Sequence, residues 1–171
     1  MVFIACKLFY RESSKGSALN KNILILVAGV IAMVAGVVMF QNQKSDFKTI
    51  DGETWSWREL QGEWVVVNYF AEWCAPCLKE VPELNSFYLD SDIKLFAISY
   101  DGENDEQMLG IRKKYDMKFP IISAELQPQL PMPKPSALPA TYIIDAQGKV
   151  RERLMGEQTK SSIVQAIKQL Q

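Results

Sequence analysis

Two cysteines separated by two residues, Cys74-Ala75-Pro76-Cys77, follow at once on the apolar run Trp64-Val65-Val66-Val67-Asn68-Tyr69-Phe70. That juxtaposition constrains the fold more than any other feature of the chain. A continuous run of this kind suits a central strand buried on both faces of a sheet. The dithiol then falls where the strand hands over to a helix, with Cys74 at or beside the helix N-terminus. Free N–H groups and the macrodipole stabilise an anion there. The position therefore lowers the pKa of Cys74 and activates its thiolate, the nucleophile of thiol–disulfide exchange. Cys77, three residues on, is near enough to attack a mixed disulfide and close a ring. The chain reads as a redox protein.

Other uses of the pair can be set against the residue inventory. A CxxC is also half of a zinc site, but zinc takes about four ligands. The only other cysteine is Cys6, and the chain has no histidine. Carboxylates alone rarely complete structural zinc, so no metal site is expected. A purely structural disulfide is the other alternative, although a bridge closing so short a loop constrains the unfolded chain little. The missing histidines also exclude Cys-His and Ser-His-Asp nucleophile schemes.

At 171 residues and 48% hydrophobic, the composition suits one globular domain plus an apolar element outside it. That element is Ile23 to Phe40, eighteen residues without a charge. At about 1.5 Å per residue it spans roughly 27 Å, close to a hydrocarbon core. A cleaved signal peptide would have an apolar region of only about 7–15 residues. No convincing A-x-A site precedes Gln41-Asn42-Gln43-Lys44, and no cysteine there offers a lipid anchor. The reading is an uncleaved signal anchor. Lys7, Arg11, Lys15 and Lys21 precede the span against the single acid Glu12, while Lys44 and Lys48 beyond it are offset by Asp46, Asp51 and Glu53. The positive-inside bias leaves the N-terminus cytoplasmic and sends the remainder across the membrane. The expected organisation is a cytoplasmic segment 1–22, a transmembrane anchor 23–40, a linker 41–46 and a folded domain 47–171. Past residue 40 the acids outnumber the bases by four, which argues against a nucleic-acid partner. Cys6 lies on the reducing side, and Cys74 and Cys77 face an oxidising compartment.

Along the folded part, Phe47 to Trp55, broken by Asp51-Gly52, predicts a small hairpin. A helix is expected from about Cys74 to Tyr88, kinked by Pro82, which removes one backbone donor. Ile93 to Ser99 is a second buried strand, and Asp101 or Asn104 can cap a helix running to about Tyr115. After Lys118-Phe119-Pro120-Ile121-Ile122, five prolines between Ser123 and Pro139 exclude regular helix over most of that stretch. Tyr142-Ile143-Ile144 and Val150 to Leu154 flank Asp145-Ala146-Gln147-Gly148, a turn signal for an antiparallel hairpin. Thr159 caps a last helix carrying Ile163, Ile167 and Leu170. The order β-α-β-α-β-β-α implies an α/β domain with a mixed sheet and helices on both faces.

These residues resemble the thioredoxin superfamily, and within it the membrane-anchored TlpA/ResA-like thiol–disulfide oxidoreductases. The match lies in Asn68-Tyr69-Phe70-Ala71-Glu72-Trp73-Cys74-Ala75-Pro76-Cys77, in Pro82, and in Leu138-Pro139-Ala140-Thr141-Tyr142-Ile143-Ile144-Asp145. It covers about residues 47–171. The resemblance implies a thioredoxin-like mixed sheet flanked by helices and a redox disulfide between Cys74 and Cys77. It implies that Pro139 is a cis-proline facing the dithiol. A cis X-Pro bond turns the chain tightly and exposes the backbone of Leu138 to an extended substrate strand. Trp73 resembles the tryptophan that shields the nucleophile; as a bare residue it is equally a core side chain.

The chain departs from the ordinary thioredoxin pattern at Asn68. That position, six residues before the first cysteine, usually holds a buried Asp, and a carboxamide carries no proton to give at neutral pH. Glu80 lies three residues after Cys77 on the same helical face. TlpA/ResA-like proteins resemble this pattern, which makes Glu80 the candidate for proton handling at Cys77; a solvated surface glutamate is the alternative. The Pro-rich stretch 123–136 replaces a shorter loop and reads either as a partner-specific lip or as a stiff connector.

What the resemblance implies is a thiol–disulfide oxidoreductase of a bacterial cytoplasmic membrane, single-pass, with its domain facing the periplasm or cell exterior. No cofactor is expected. Its substrates are protein disulfides, and a membrane thiol-transfer protein of the DsbD/CcdA kind recharges it. Ala75-Pro76 offers no charge to stabilise the thiolate further, which tilts the direction toward reduction. A disulfide-forming oxidant of the same fold and a non-catalytic binding module are the alternatives. A copper chaperone would want CxxxC and a histidine, and a peroxidase a Thr shortly before a single cysteine; neither fits.

Overall fold

The computed structural model describes residues 21–41 and 45–171, which fall into two compact units dividing between Lys44 and Ser45. The basic residues Lys7, Arg11 and Lys15, Cys6 and residues 42–44 of the 41–46 linker lie outside the described residues. The first unit contains α1 (Lys21–Gln41), an uninterrupted helix whose described side chains are apolar and exposed, Ile25, Leu26, Val30, Ile31 and Met33 among them. Among the described residues no helix is long and apolar enough to cross a membrane. The side chains of α1 are described only for Ile23 and 25–38, a shorter stretch than the uncharged run of the sequence.

The second unit is built on a five-stranded sheet. Its strands are β3 (Val65–Phe70), β4 (Lys94–Ser99), β5 (Ile121–Ile122), β6 (Ala140–Ile144) and β7 (Val150–Met155), in the order β5-β4-β3-β6-β7. β3 pairs parallel with β4 and antiparallel with β6, and every residue of β3 is buried. The apolar run of the sequence therefore occupies the centre of a mixed sheet. A separate hairpin pairs β1 (Phe47–Lys48) with β2 (Thr54–Trp55) and is tied to the sheet through the Thr49–Ile122 bridge. The β6–β7 turn closes on Asp145, whose Oδ1 accepts from the N–H groups of Gln147 and Lys149, and Gly148 supplies the positive φ of 77°.

The helices are α2 (Ala75–Lys79), α3 (Val81–Asp90), α4 (Asp105–Lys114) and α5 (Lys160–Leu170). Asn104 and Thr159 both form capping boxes, each side chain accepting from the backbone three residues on. The helix expected over Cys74–Tyr88 is two helices that meet at Glu80. Pro82 has no N–H to give the carbonyl of Leu78, so the helical ladder breaks ahead of the proline itself.

The sheet is mixed and flanked by helices, but their distribution corrects the expectation of helices on both faces. Val81, Leu84 and Phe87 of α3, Met108 and Ile111 of α4, and Ile163 and Ile167 of α5 share one core with Val66, Phe70, Leu95 and Ile143. The opposite face, with Val65, Val67, Tyr69, Phe96, Tyr142 and Ile144, is covered by Phe47, Trp55, Trp57, Leu60 and Met132. Two right-handed crossovers running in the same direction, β3 to β4 and β4 to β5, place their helices on one side. Prolines keep 123–136 from forming a helix for the other.

Candidate active site

Cys74 is the N-cap of α2, in an extended conformation, and Pro76 stands within the first turn, where the missing N–H is not needed. Its sulfur accepts the backbone N–H of Cys77 at 3.3 Å. The two cysteines form a disulfide with their Cα atoms 5.3 Å apart. Both are buried, Cys77 more deeply than Cys74. A backbone N–H directed at the Cys74 sulfur is the kind of donor that stabilises a thiolate, and the less buried of the two cysteines is the one at the helix end.

Trp73 is 67% exposed, which discards the core reading of this residue. Its indole Nε1 donates to Asp101 Oδ2 at 2.6 Å, so the ring is held over the loop after β4. Tyr100, beside it, donates its backbone N–H to the carbonyl of Phe70. The Tyr100 ring in turn carries the Lys134 ammonium 3.8 Å from its centroid. The Pro-rich stretch is anchored elsewhere by Tyr142 donating to the Pro133 carbonyl, by Trp57 donating to the Gln129 carbonyl, and by buried Met132. It is a fixed part of the domain surface, pinned at several points.

The Leu138–Pro139 bond is cis, the conformation the resemblance implies. Pro139 immediately precedes β6, whose first residue Ala140 is in register with Tyr69 of β3. The proline thus lies at the same end of the sheet as the strand that delivers the dithiol. Leu138 is partly buried and packs against the cores on both faces of the sheet.

Glu80 is fully buried at the α2–α3 junction, which rules out the solvated-surface reading. Oε1 accepts from Asn68 Nδ2 at 2.7 Å, and Oε2 accepts from the backbone N–H of Gln158 at 2.9 Å. Burial pushes its pKa from 4.5 up to about 7, against the two hydrogen bonds and with the help of nearby Glu157. The result is a carboxyl that changes protonation near neutral pH. Among the described residues no cluster of potential metal ligands forms.

Sequence reasoning treated Asn68 only as a missing acid and passed over Thr141 and Gln158. The spacing Pro139-x-Thr141 offered a signal for Thr141. Gln158 offered none, because its contribution to Glu80 is a backbone N–H that any residue but proline supplies.

The model of the AhpC/TSA family matches residues 39–153. The chain is 31% identical over 117 residues to the thiol-disulfide oxidoreductase ResA of Bacillus cereus, covering 67% of each protein. It is 28% identical over 137 residues to the thioredoxin-like protein YneN of Bacillus subtilis, covering 73% of this chain and 76% of that one. Among solved structures, StoA from Bacillus subtilis superposes with a TM-score of 0.59 at 25% identity, over 70% of this chain and 92% of its own. A DsbF homologue from Corynebacterium diphtheriae shares the fold, with a TM-score of 0.59 at 21% identity over 72% and 82% of the two chains.

Proposed function

This chain belongs to the AhpC/TSA family and is a thiol–disulfide oxidoreductase, as its relatives are named, and from that premise we propose that it reduces disulfides of extracytoplasmic proteins from a membrane anchor. The observation that carries the reading is Cys74 at the head of α2 with its sulfur accepting the Cys77 N–H.

The cycle begins with both thiols reduced. The Cys74 thiolate attacks one sulfur of a substrate disulfide, forming a Cys74–substrate bond and releasing one substrate thiolate. The substrate chain lies extended against the backbone of Leu138 and Pro139, with Trp73 shielding the reacting sulfurs. Cys77 passes its proton to the Glu80 carboxylate through water. Its thiolate then attacks the Cys74 sulfur, closing the Cys74–Cys77 disulfide and releasing the second substrate thiolate, so two electrons reach the substrate. A proton carrier with a pKa near the working pH suits this step. Ala75-Pro76 adds no charge beside the thiolate, which supports a potential nearer the thioredoxin end (~−270 mV) than the DsbA end (~−120 mV). Such a protein is recharged in an oxidising compartment by a membrane dithiol carrier of the DsbD/CcdA kind.

The anchor reading is supported by α1, whose uncharged run would cover roughly 27 Å at 1.5 Å per residue. The basic residues before it support a single pass with the domain outside the cytoplasm. The test is reduction of insulin by the full chain in detergent, with the trapped partner of a Cys77→Ser variant identified from membranes. Turnover and a protein-sized mixed disulfide on Cys74 support the proposal. No turnover would return the domain to a non-catalytic binding module, and an equilibrium potential near the DsbA end would make it an oxidant.

A further inference from the structure

Asn68 stands in the middle of β3 with its side chain among the helices, and its amide nitrogen makes two hydrogen bonds. One goes to Glu80 Oε1 at 2.7 Å and the other to Thr141 Oγ1 at 3.1 Å. Asn68 and Thr141 are direct partners in the β3–β6 register, and Thr141 follows the cis-proline by two residues. All three side chains are buried. An ionised carboxylate only accepts hydrogen bonds, so the amide must present its NH2 end to Glu80. The Thr141 hydroxyl takes the remaining N–H and leaves the amide no reason to flip. Among the described residues, Glu80 has two donors, this amide and the Gln158 N–H.

We infer that Asn68, locked by Thr141, is a positioning residue of the exchange reaction: it holds the Glu80 carboxyl toward its proton partner and keeps it ionisable. The inference rests on the reading of Glu80 as the proton carrier for Cys77. An amide does this better than the acid that ordinary thioredoxins place here. A second carboxylate 2.7 Å from Glu80 would compete for the same proton, and the pair would titrate as one unit. Asn68 donates without titrating. The other charged group acting on Glu80 is Glu157, from the turn before α5, which opposes ionisation; Cys77 lies three residues earlier, on α2. β3 and β6 bring only neutral groups. Glu83 and Lys160, at the α3–α5 contact, are engaged with each other through the Lys160 backbone N–H. Without Asn68 nothing charged takes its place.

The test uses the full chain in detergent micelles. Carboxyl-labelled glutamate is followed by NMR across pH 5–9, and mixed-disulfide resolution is followed by stopped-flow fluorescence over the same range. Asn68→Leu should move the Glu80 titration to higher pH by about one unit or more, the worth of a hydrogen bond to a charged group. The alkaline movement should carry the resolution profile with it, slowing the step about tenfold below pH 7. Thr141→Val, which keeps the volume and leaves Asn68 in place, should move both in the same direction by less. In a Glu80→Gln background neither substitution should move the rate profile further. An unmoved Glu80 titration overturns the inference; where Asn68→Leu does not fold, Thr141→Val decides it alone. An equal rate shift in the Glu80→Gln background overturns it too, since the effect would not pass through Glu80. If Glu80→Gln itself leaves the wild-type profile unchanged, the proton-carrier reading falls and this inference with it. If Glu80→Gln flattens the profile while Asn68→Leu matches wild type, only the Asn68 assignment falls.

Discussion

Replacing Glu80 by Gln should make the domain's stability less dependent on pH, and the size of the effect follows from the site. In the unfolded chain Glu80 releases its proton near the ordinary 4.5, and in the folded protein at about 7. Between those values the folded state binds more protons than the unfolded one, so stability falls as pH rises. The penalty is absent well below pH 4.5 and complete above about pH 7. A separation of this size corresponds to about 3 kcal/mol. Gln is never charged and escapes that penalty, but its carbonyl can accept from only one of Asn68 and Gln158. The lost hydrogen bond costs about 1 kcal/mol. Oxidised wild type and variant should therefore be of about equal stability at pH 5, where the penalty has only begun, and the variant should be more stable by about 2 kcal/mol at pH 8. Urea unfolding followed by tryptophan fluorescence would read this as a midpoint raised by about 1 M in the variant at pH 8. Asp145, held below the usual carboxylate range by the Lys149 N–H and by Arg151, Asp90, held low by Lys160, and Glu72, held low by Lys114, contribute with the opposite sign. They are present in both proteins and cancel in the comparison. A stability difference that is the same at pH 5 and pH 8 would refute the claim that burial raises this carboxyl.

Three further outcomes are expected. Alkylation of the reduced protein against pH should give Cys74 a pKa below the free value of about 8.5, with Cys77 slower at every pH; equal and unshifted thiols would contradict the placement of Cys74 at the head of α2. Asn104→Ala should lower stability by about 1 kcal/mol in urea unfolding, because it removes one half of the capping box that satisfies the first turn of α4. A reporter fused after Gln171 should be active only outside the cytoplasm, and cytoplasmic activity would sink the anchor reading.

Much of the domain was legible in the residues. The run Val65–Phe70, apolar but for Asn68, is the central strand because only a position covered on both faces accommodates it. Thr159 marked one helix start and Asp101 or Asn104 another, the structure selecting Asn104, through local side-chain bonds to the backbone. Asp145-Ala146-Gln147-Gly148 marked the hairpin through a carboxylate that accepts its own turn's N–H groups and a glycine that takes positive φ. Each of these signals acts over a few residues, so a linear reading recovers it. The break at Glu80 was misplaced toward Pro82 because a proline's missing bond is felt by the carbonyl four residues before it.

The chemistry of the dithiol was likewise fixed locally, since the strand–turn–helix context of Cys74 needs no distant partner. The state of Glu80 was not. Its spacing from Cys77 placed it near the site, but a glutamate on a helix end is as readily solvated as buried. Burial came from the packing of α3 and α5 against β3. The two hydrogen bonds that keep it ionisable come from residues 12 and 78 positions away, one of them through a backbone group that carries no side-chain identity. Trp73 was settled in the same way, turned outward by Asp101 from the loop after β4. The sequence by itself determined which atoms react, because reactivity at Cys74 follows from local backbone geometry. Tertiary structure alone decided the environment of the Glu80 carboxyl, because desolvation and long-range hydrogen bonds exist only once distant segments are packed together.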